Sequence, residues 1–183
     1  SSIKISGRNK IIFSWKQVKG VAGYRVYRKS GNSGWKVVKT ITGSKNVTFT
    51  DKKVSTGARY TYTVKAYRKS GKNIIWSSYN KKGLTAIAGL NSLTLNKTSL
   101  TLTPKKTYTL KINGTSLKPS WKSSNTKVVS VTSAGKVTAV KTGTANITAI
   151  LGGRKFTCKV TVKNPASANA KLTQNYAKLK KYI

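Results

Sequence analysis

Short stretches of alternating apolar and polar residues recur along this chain, parted by Gly, Asn and Ser. Lys10-Ile11-Ile12-Phe13-Ser14-Trp15 is the first, and Tyr24-Arg25-Val26-Tyr27-Arg28 is the second. Trp35 to Lys39, Asn46 to Thr50, the long run Arg59 to Tyr67, and Ile74-Ile75-Trp76 complete the series. A period of two predicts strands, and six or seven of them at this spacing predict an all-β sandwich of about 85 residues. Gly83 to Leu90 is rich in small residues and fits a linker. Beyond it the texture changes, as aromatics thin out and Thr, Ser and Val take over. Leu93 to Leu95, Ser99 to Leu102, Thr107 to Leu110, Val128 to Val131, Val137 to Val140, Ile147 to Ile150 and Phe156 to Val162 predict a second sandwich.

The last twenty residues read differently. Asn164-Pro165 suits a helix start, with Asn as the cap and Pro at the first helical position. Leu172, Tyr176, Leu179 and Ile183 then follow at helical spacing, surrounded by Lys171, Lys178, Lys180 and Lys181. This short basic stripe over 164–183 suits either an anionic membrane surface or a helix docked on the second sandwich or linking modules. The latter is the preferred reading.

Charge narrows the function. The 183 residues hold 37 Lys and Arg, one acidic residue (Asp51) and no His, for a formal net charge of +36. General acid–base chemistry near neutral pH needs tuned carboxylates or imidazoles, and one carboxylate cannot supply it. Metal sites draw on His, Cys, Asp and Glu, so Asp51 and Cys158 leave no expectation of a metal or other cofactor. The expectation is a non-enzymatic module without a small-molecule substrate, attracted to anionic polymers by a strong positive field. Residues 1–88 carry 20 of the basic side chains, residues 89–163 carry 13 and the tail carries 4. The first domain is therefore the stronger candidate for an electrostatic site. No 18-residue apolar run predicts a membrane-spanning helix. The opening on Ser1, without Met or a signal core, suits a mature or excised piece of a longer protein. Cys158 alone closes no internal disulfide and reads as a small core residue.

Alternation singles out one sheet face. Tyr24 and Val26 point one way along their strand, and Arg25, Tyr27 and Lys29 the other. Tyr60, Tyr62, Val64 and Ala66 point one way along the long strand, and Lys65, Tyr67 and Lys69 the other. The sequence Tyr-Arg-Lys-Ser-Gly occurs twice, from Tyr27 to Gly31 and from Tyr67 to Gly71. The candidate polyanion-binding set is therefore Arg25, Tyr27, Arg28, Lys29, Lys65, Tyr67, Arg68 and Lys69. Lys supplies point charges, Arg a planar fork, and Tyr a ring able to stack on a base or sugar. Against this stands a plain solvated face whose Tyr residues support strand formation. The Ser-x-x-Lys spacings at Ser78, Ser124 and Ser133 are those expected by chance in a Ser- and Lys-rich chain.

Val54-Ser55-Thr56-Gly57-Ala58-Arg59-Tyr60 resembles the L-x-P-G-T-x-Y corner of fibronectin type III domains, with Val for Leu and Thr for Pro. The resemblance covers about residues 1–87. It implies that Tyr60 ties its hydroxyl back to nearby backbone, that Trp15 is the core Trp of the second strand, and that the strands holding Arg25 and Lys65 are neighbours. The two Tyr-Arg-Lys-Ser-Gly loops would then lie at opposite ends, forming a charge stripe suited to a linear polymer. Trp121 to Val131, Gly135 to Val140 and Gly143 to Thr148 resemble the bacterial immunoglobulin-like domain, group 2, over about residues 91–163. Together these resemblances imply two tandem immunoglobulin-like β-sandwiches, at 1–87 and 88–163, followed by the tail. They imply a secreted or cell-surface bacterial protein. Its expected role is adhesion to teichoic acid, glycosaminoglycan, or DNA or RNA by diffuse electrostatics. A wall-targeting or spacer appendage of a larger secreted hydrolase, or a supercharged cell-associating protein, are the alternatives.

Overall fold

The computed structural model describes residues 1–165, so the helix expected over 164–183 lies outside the described residues. These form β-strands, with one short 3-10 turn at Leu90–Ser92. They divide into two compact units. The first comprises 1–94, 112–118 and 151–154; the second comprises 95–111, 119–150 and, of the described residues, 155–165.

In the first unit, β1 (Ser2–Ile5), β2 (Ile11–Ser14), β3 (Gly23–Ser30), β4 (Lys36–Thr42), β5 (Thr48–Asp51), β6 (Arg59–Ser70), β7 (Asn73–Trp76) and β8 (Leu84–Ile87) form two sheets. One sheet has the order β1-β2-β5. The other has the order β4-β3-β6-β7, with β8 also pairing β6. All these pairings are antiparallel, and β3 lies against β6 from Gly23↔Tyr67 to Ser30↔Tyr60. The neighbouring of these two strands is the one that the fibronectin type III resemblance implied.

Tyr24, Val26, Tyr60, Tyr62 and Ala66, which alternation put on one side of their strands, are buried in one cluster with Ile11, Phe13 and Trp15, and Val64 packs half-buried against it. Fully burying a large apolar side chain is worth about 1.5–3 kcal/mol, so this cluster is the main cohesive element. Trp15 meets Phe13 and Tyr24 with ring centroids 5.5 and 5.3 Å apart. The Tyr60 hydroxyl accepts the Ser55 backbone N–H at 3.0 Å, which is the corner expected from the Val54 to Tyr60 run.

The remaining strands are β9 (Thr94–Leu95), β10 (Ser99–Leu102), β11 (Thr107–Thr109), β12 (Ile112–Asn113), β13 (Ser120–Ser123), β14 (Val129–Val131), β15 (Lys136–Ala139), β16 (Gly143–Leu151) and β17 (Arg154–Val162). The second unit stacks a sheet of order β10-β17-β16-β13 on one of order β11-β15-β14. Its core is Leu110, Val129, Val137, Ala139, Ala145, Ile147, Cys158, Val160 and Val162. Cys158 is a buried core residue, as expected, and burial pushes its thiol pKa up. Gly135 sits at φ +81°, where a Cβ would strike the Leu110 carbonyl oxygen and come within 2.9 Å of the Trp121 ring. The glycine of the Gly135 to Ala139 run is thus a steric requirement of this sandwich.

A cation and aromatic ladder on one sheet face

The outer face of the β3–β6 sheet carries alternating rows of cations and rings. Arg25 lies directly opposite Lys65 on β6 and Thr40 on β4. The Arg25 guanidinium rests over the Trp76 ring, 4.3 Å from its centroid, and its Nε donates to Thr40 Oγ1 at 3.4 Å. Trp76 in turn pairs with Tyr67 across the β6–β7 ladder, with centroids 5.3 Å apart. Lys65 Nζ lies 4.6 Å from the Tyr79 centroid and 5.8 Å from that of Tyr27. Tyr27 and Tyr79 stack at 6.5 Å with planes 23° apart. At the far end, Lys29 Nζ lies 4.9 Å from the Trp35 ring centroid. Each such contact is worth about 0.5–1 kcal/mol at an exposed site. The contacts hold the side chains over rings instead of leaving them to sweep freely.

Five of the eight candidate residues therefore share this face: Arg25, Tyr27, Lys29, Lys65 and Tyr67. Lys69 continues the same side beyond the end of β3, opposite Ile74. The remaining two do not belong to it. Arg28 projects to the inner side of β3. Its Nη1 meets Asp51 Oδ2 at 2.7 Å and donates to the Lys53 carbonyl at 2.8 Å. Arg28 is thus a structural ion-pair partner, which corrects its inclusion in the candidate binding set. Arg68 also points away from the ladder and is exposed.

The expected free rings need a second correction. Tyr67 is only 7% exposed. It lies across Gly23, where a Cβ would come within 2.9 Å of its ring. Tyr27 is covered by Tyr79 and Lys65. In this structure the rings seat cations, and Tyr67 among them is closed to stacking by a ligand. Trp35, Trp76 and Tyr79 were missed at sequence level. Pairing β6 with β7 around the Ser70-Gly71-Lys72-Asn73 turn would have brought Trp76 beside Tyr67.

The chain's single carboxylate faces away from this ladder. Asp51 is 3% exposed. It accepts hydrogen bonds from Arg28, from the Tyr62 hydroxyl at 3.0 Å and from the Lys53 N–H at 2.8 Å. Burial and the adjacent Asp51 raise the Tyr62 pKa far above the ordinary phenol range. Burial works against the Arg28 cation, but the hydrogen bond and charge of Asp51 leave its pKa raised. Among the described residues no cluster of three or more His, Cys, Asp or Glu could hold a metal ion. The ladder is left as an array of fixed positive charge with no acidic neighbour on its face.

Residues 89–162 match the family described as bacterial Ig-like domain (group 2). A 71-residue stretch is 35% identical to an amylopullulanase of Thermoanaerobacterium saccharolyticum, taking in 38% of this chain and 5% of that protein. The chain thus spans a small fraction of the relative it matches. Among solved structures, the fibronectin type III domain of human contactin 1 overlays with a TM-score of 0.34 at 18% identity, covering 45% of this chain and 75% of that one. A 282-residue C-terminal fragment of intimin, solved with the intimin-binding domain of its translocated receptor, overlays with a TM-score of 0.42 at 17% identity. That overlay covers 89% of this chain and 64% of the fragment.

Proposed function

With a bacterial Ig-like domain of group 2 at residues 89–162, behind a fibronectin type III-like sandwich, we propose that this chain is a non-catalytic, cationic extracellular module that holds a larger protein to an anionic polymer. The observation that carries this reading is the ladder. Arg25, Lys29 and Lys65 are seated over aromatic rings on one sheet face, while the only carboxylate is buried elsewhere. Seated cations lose less side-chain freedom on binding than free ones. Arg25 and Lys29 lie four residues apart on one strand, a reach of about 13 Å, with Lys65 and Lys69 alongside. That geometry suits a linear polymer of phosphate or sulfate groups. Teichoic acid, glycosaminoglycan and nucleic acid all carry such groups, and attachment proceeds by counterion release.

The match to an amylopullulanase favours a second, compatible reading, in which the module is a wall-targeting or spacer appendage of a secreted hydrolase. Both place it outside the cell or on its surface. A salt titration against heparin, duplex DNA and purified teichoic acid separates them. Polymer attachment through four ladder cations gives a log–log salt slope of about −3 to −4, with one polymer still bound near physiological salt of about 0.15 M. Loss of all three polymers together below that salt would leave the spacer reading alone.

A further inference from the structure

The two Tyr-Arg-Lys-Ser-Gly segments end in unlike places. On β3 the segment is sandwiched between β4 and β6. On β6 it runs past the end of β3, because Gly23 pairs with Tyr67 and no β3 residue lies opposite Arg68, Lys69 or Ser70. Those three pair only with β7, as Arg68↔Ile75, Lys69↔Ile74 and Ser70↔Asn73. Residues 68–75 therefore form a two-stranded ribbon overhanging the sandwich, and every one of them is exposed. Gly71, at φ +59°, makes the turn.

The composition of the ribbon is unusual for an exposed tip. Ile74 is 49% and Ile75 42% exposed, and consecutive strand residues point to opposite faces. The ribbon thus shows one isoleucine on each side. Arg68, Lys69 and Lys72 stand beside them, with no acidic residue in the segment. An isolated two-stranded ribbon has little stability of its own, so two exposed isoleucines there serve no core.

We propose that this ribbon is an interfacial anchor for anionic lipid, in which Ile74 and Ile75 enter the boundary between headgroups and acyl chains while Arg68, Lys69 and Lys72 meet the phosphates. Three features favour a bilayer. Isoleucine contributes nothing to a hydrated phosphate polymer, so the ladder's partner does not account for it. A protein groove contacts one side of a ribbon, whereas a fluid interface surrounds the tip and takes both isoleucines. Long Lys and Arg side chains keep their charge at headgroup level as their stems and neighbours go deeper. The open ribbon edges restrict entry to the shallow interface, because unpaired backbone groups do not enter hydrocarbon.

The test uses the full chain and vesicles of phosphatidylcholine with and without phosphatidylglycerol. The paired change Ile74→Asn and Ile75→Asn retains every charge. It should weaken binding to the anionic vesicles about tenfold or more and leave heparin affinity unchanged. Neutralising Arg68, Lys69 and Lys72 to Gln should weaken vesicle binding about a hundredfold, at roughly fivefold per charge. A polarity-sensitive fluorophore on Ile74→Cys should shift to the blue on anionic vesicles; the buried native Cys158 leaves the introduced thiol as the labelling site. Wild-type vesicle affinity in the Asn pair, or an unshifted fluorophore, would overturn the anchor and leave the polymer reading intact. An equal loss on heparin would also overturn it, by placing the isoleucines in the polymer site. Binding to heparin and DNA with none to vesicles would assign the ribbon's charge to soluble polyanions.

Discussion

Replacing Asp51 with Asn removes the chain's single acidic side chain at almost constant volume. In the native fold that carboxylate is closed off from water and receives three donors: Arg28 at 2.7 Å, Lys53 N–H at 2.8 Å and the Tyr62 hydroxyl at 3.0 Å. Asn keeps one oxygen for the Lys53 N–H but turns an NH2 toward the position that Arg28 and the Tyr62 hydroxyl share, donor against donor for the guanidinium. Stranding one partner of a buried pair costs about 3–5 kcal/mol. The Arg28 side chain is 25% exposed and keeps its bond to the Lys53 carbonyl, so the lower end applies, about 3 kcal/mol. For a domain of this size that lowers Tm by about 12–20 °C. Thermal unfolding followed by near-ultraviolet circular dichroism measures it, because Phe13, Trp15 and Tyr62 share the core beside this pair. Arg28→Met should be similarly costly, and the double variant less so than the sum, with a coupling of about 2 kcal/mol. High salt separates a local cause from a general one. At about 1 M salt the Debye length shrinks to about 3 Å, so a deficit arising from the whole-chain field would vanish while that of a buried pair persists. A Tm drop under about 4 °C, or one abolished by salt, would refute the reasoning.

Four further outcomes follow from the same structure. Charge reversal of Arg25, Lys29, Lys65 and Lys69 should flatten the salt slope of polymer binding by about three to four units, whereas reversing Lys97, Lys118, Lys122 and Lys136 should not; equal losses would leave only bulk charge. Tyr62 has a raised folded pKa, so its contribution is complete below the unfolded phenol value near 10 and is lost as pH climbs above it. Denaturant titrations should therefore show the wild type losing stability relative to Tyr62→Phe from about pH 10 upward. Tyr60→Phe removes the hydroxyl that receives the Ser55 N–H and should cost about 1 kcal/mol, read by chemical denaturation. Gly135→Ala should destabilise the second sandwich by more than about 1 kcal/mol through its positive φ and the contacts with Leu110 and Trp121; a neutral result would show that the strand relaxes there.

Much of the fold is legible in the sequence because period two is a direct imprint of the pleat. Tyr24, Val26, Tyr60 and Tyr62 face inward and Arg25, Tyr27, Lys29 and Lys65 outward, as alternation requires. The Val54 to Tyr60 run marks its own corner by a contact five residues long. Relations among strands were less legible. Arg28 and Arg68 occupy identical pentapeptides, yet one closes an ion pair across the sandwich and the other stands in water. The difference lies in where β3 ends relative to β6, a quantity set by distant residues. Asp51 and Arg28 sit 23 positions apart on opposing sheets, and no local pattern joins them. The aromatic seats under the cations likewise depend on β7 folding back along β6, so Trp76 reads as the end of a strand without a partner, and Tyr79 as no part of any strand, until that hairpin is recognised.

Burial of Asp51 has a consequence for how this surface behaves across environments. With no His in the chain and the Asp51 side chain enclosed, the charged side chains of the described exterior are lysines and arginines. Such an exterior has the charge character of an anion-exchange matrix more than that of a typical mixed-charge protein surface. In the proposed attachment, a change of pH near neutrality would act chiefly through protonation of the polymer.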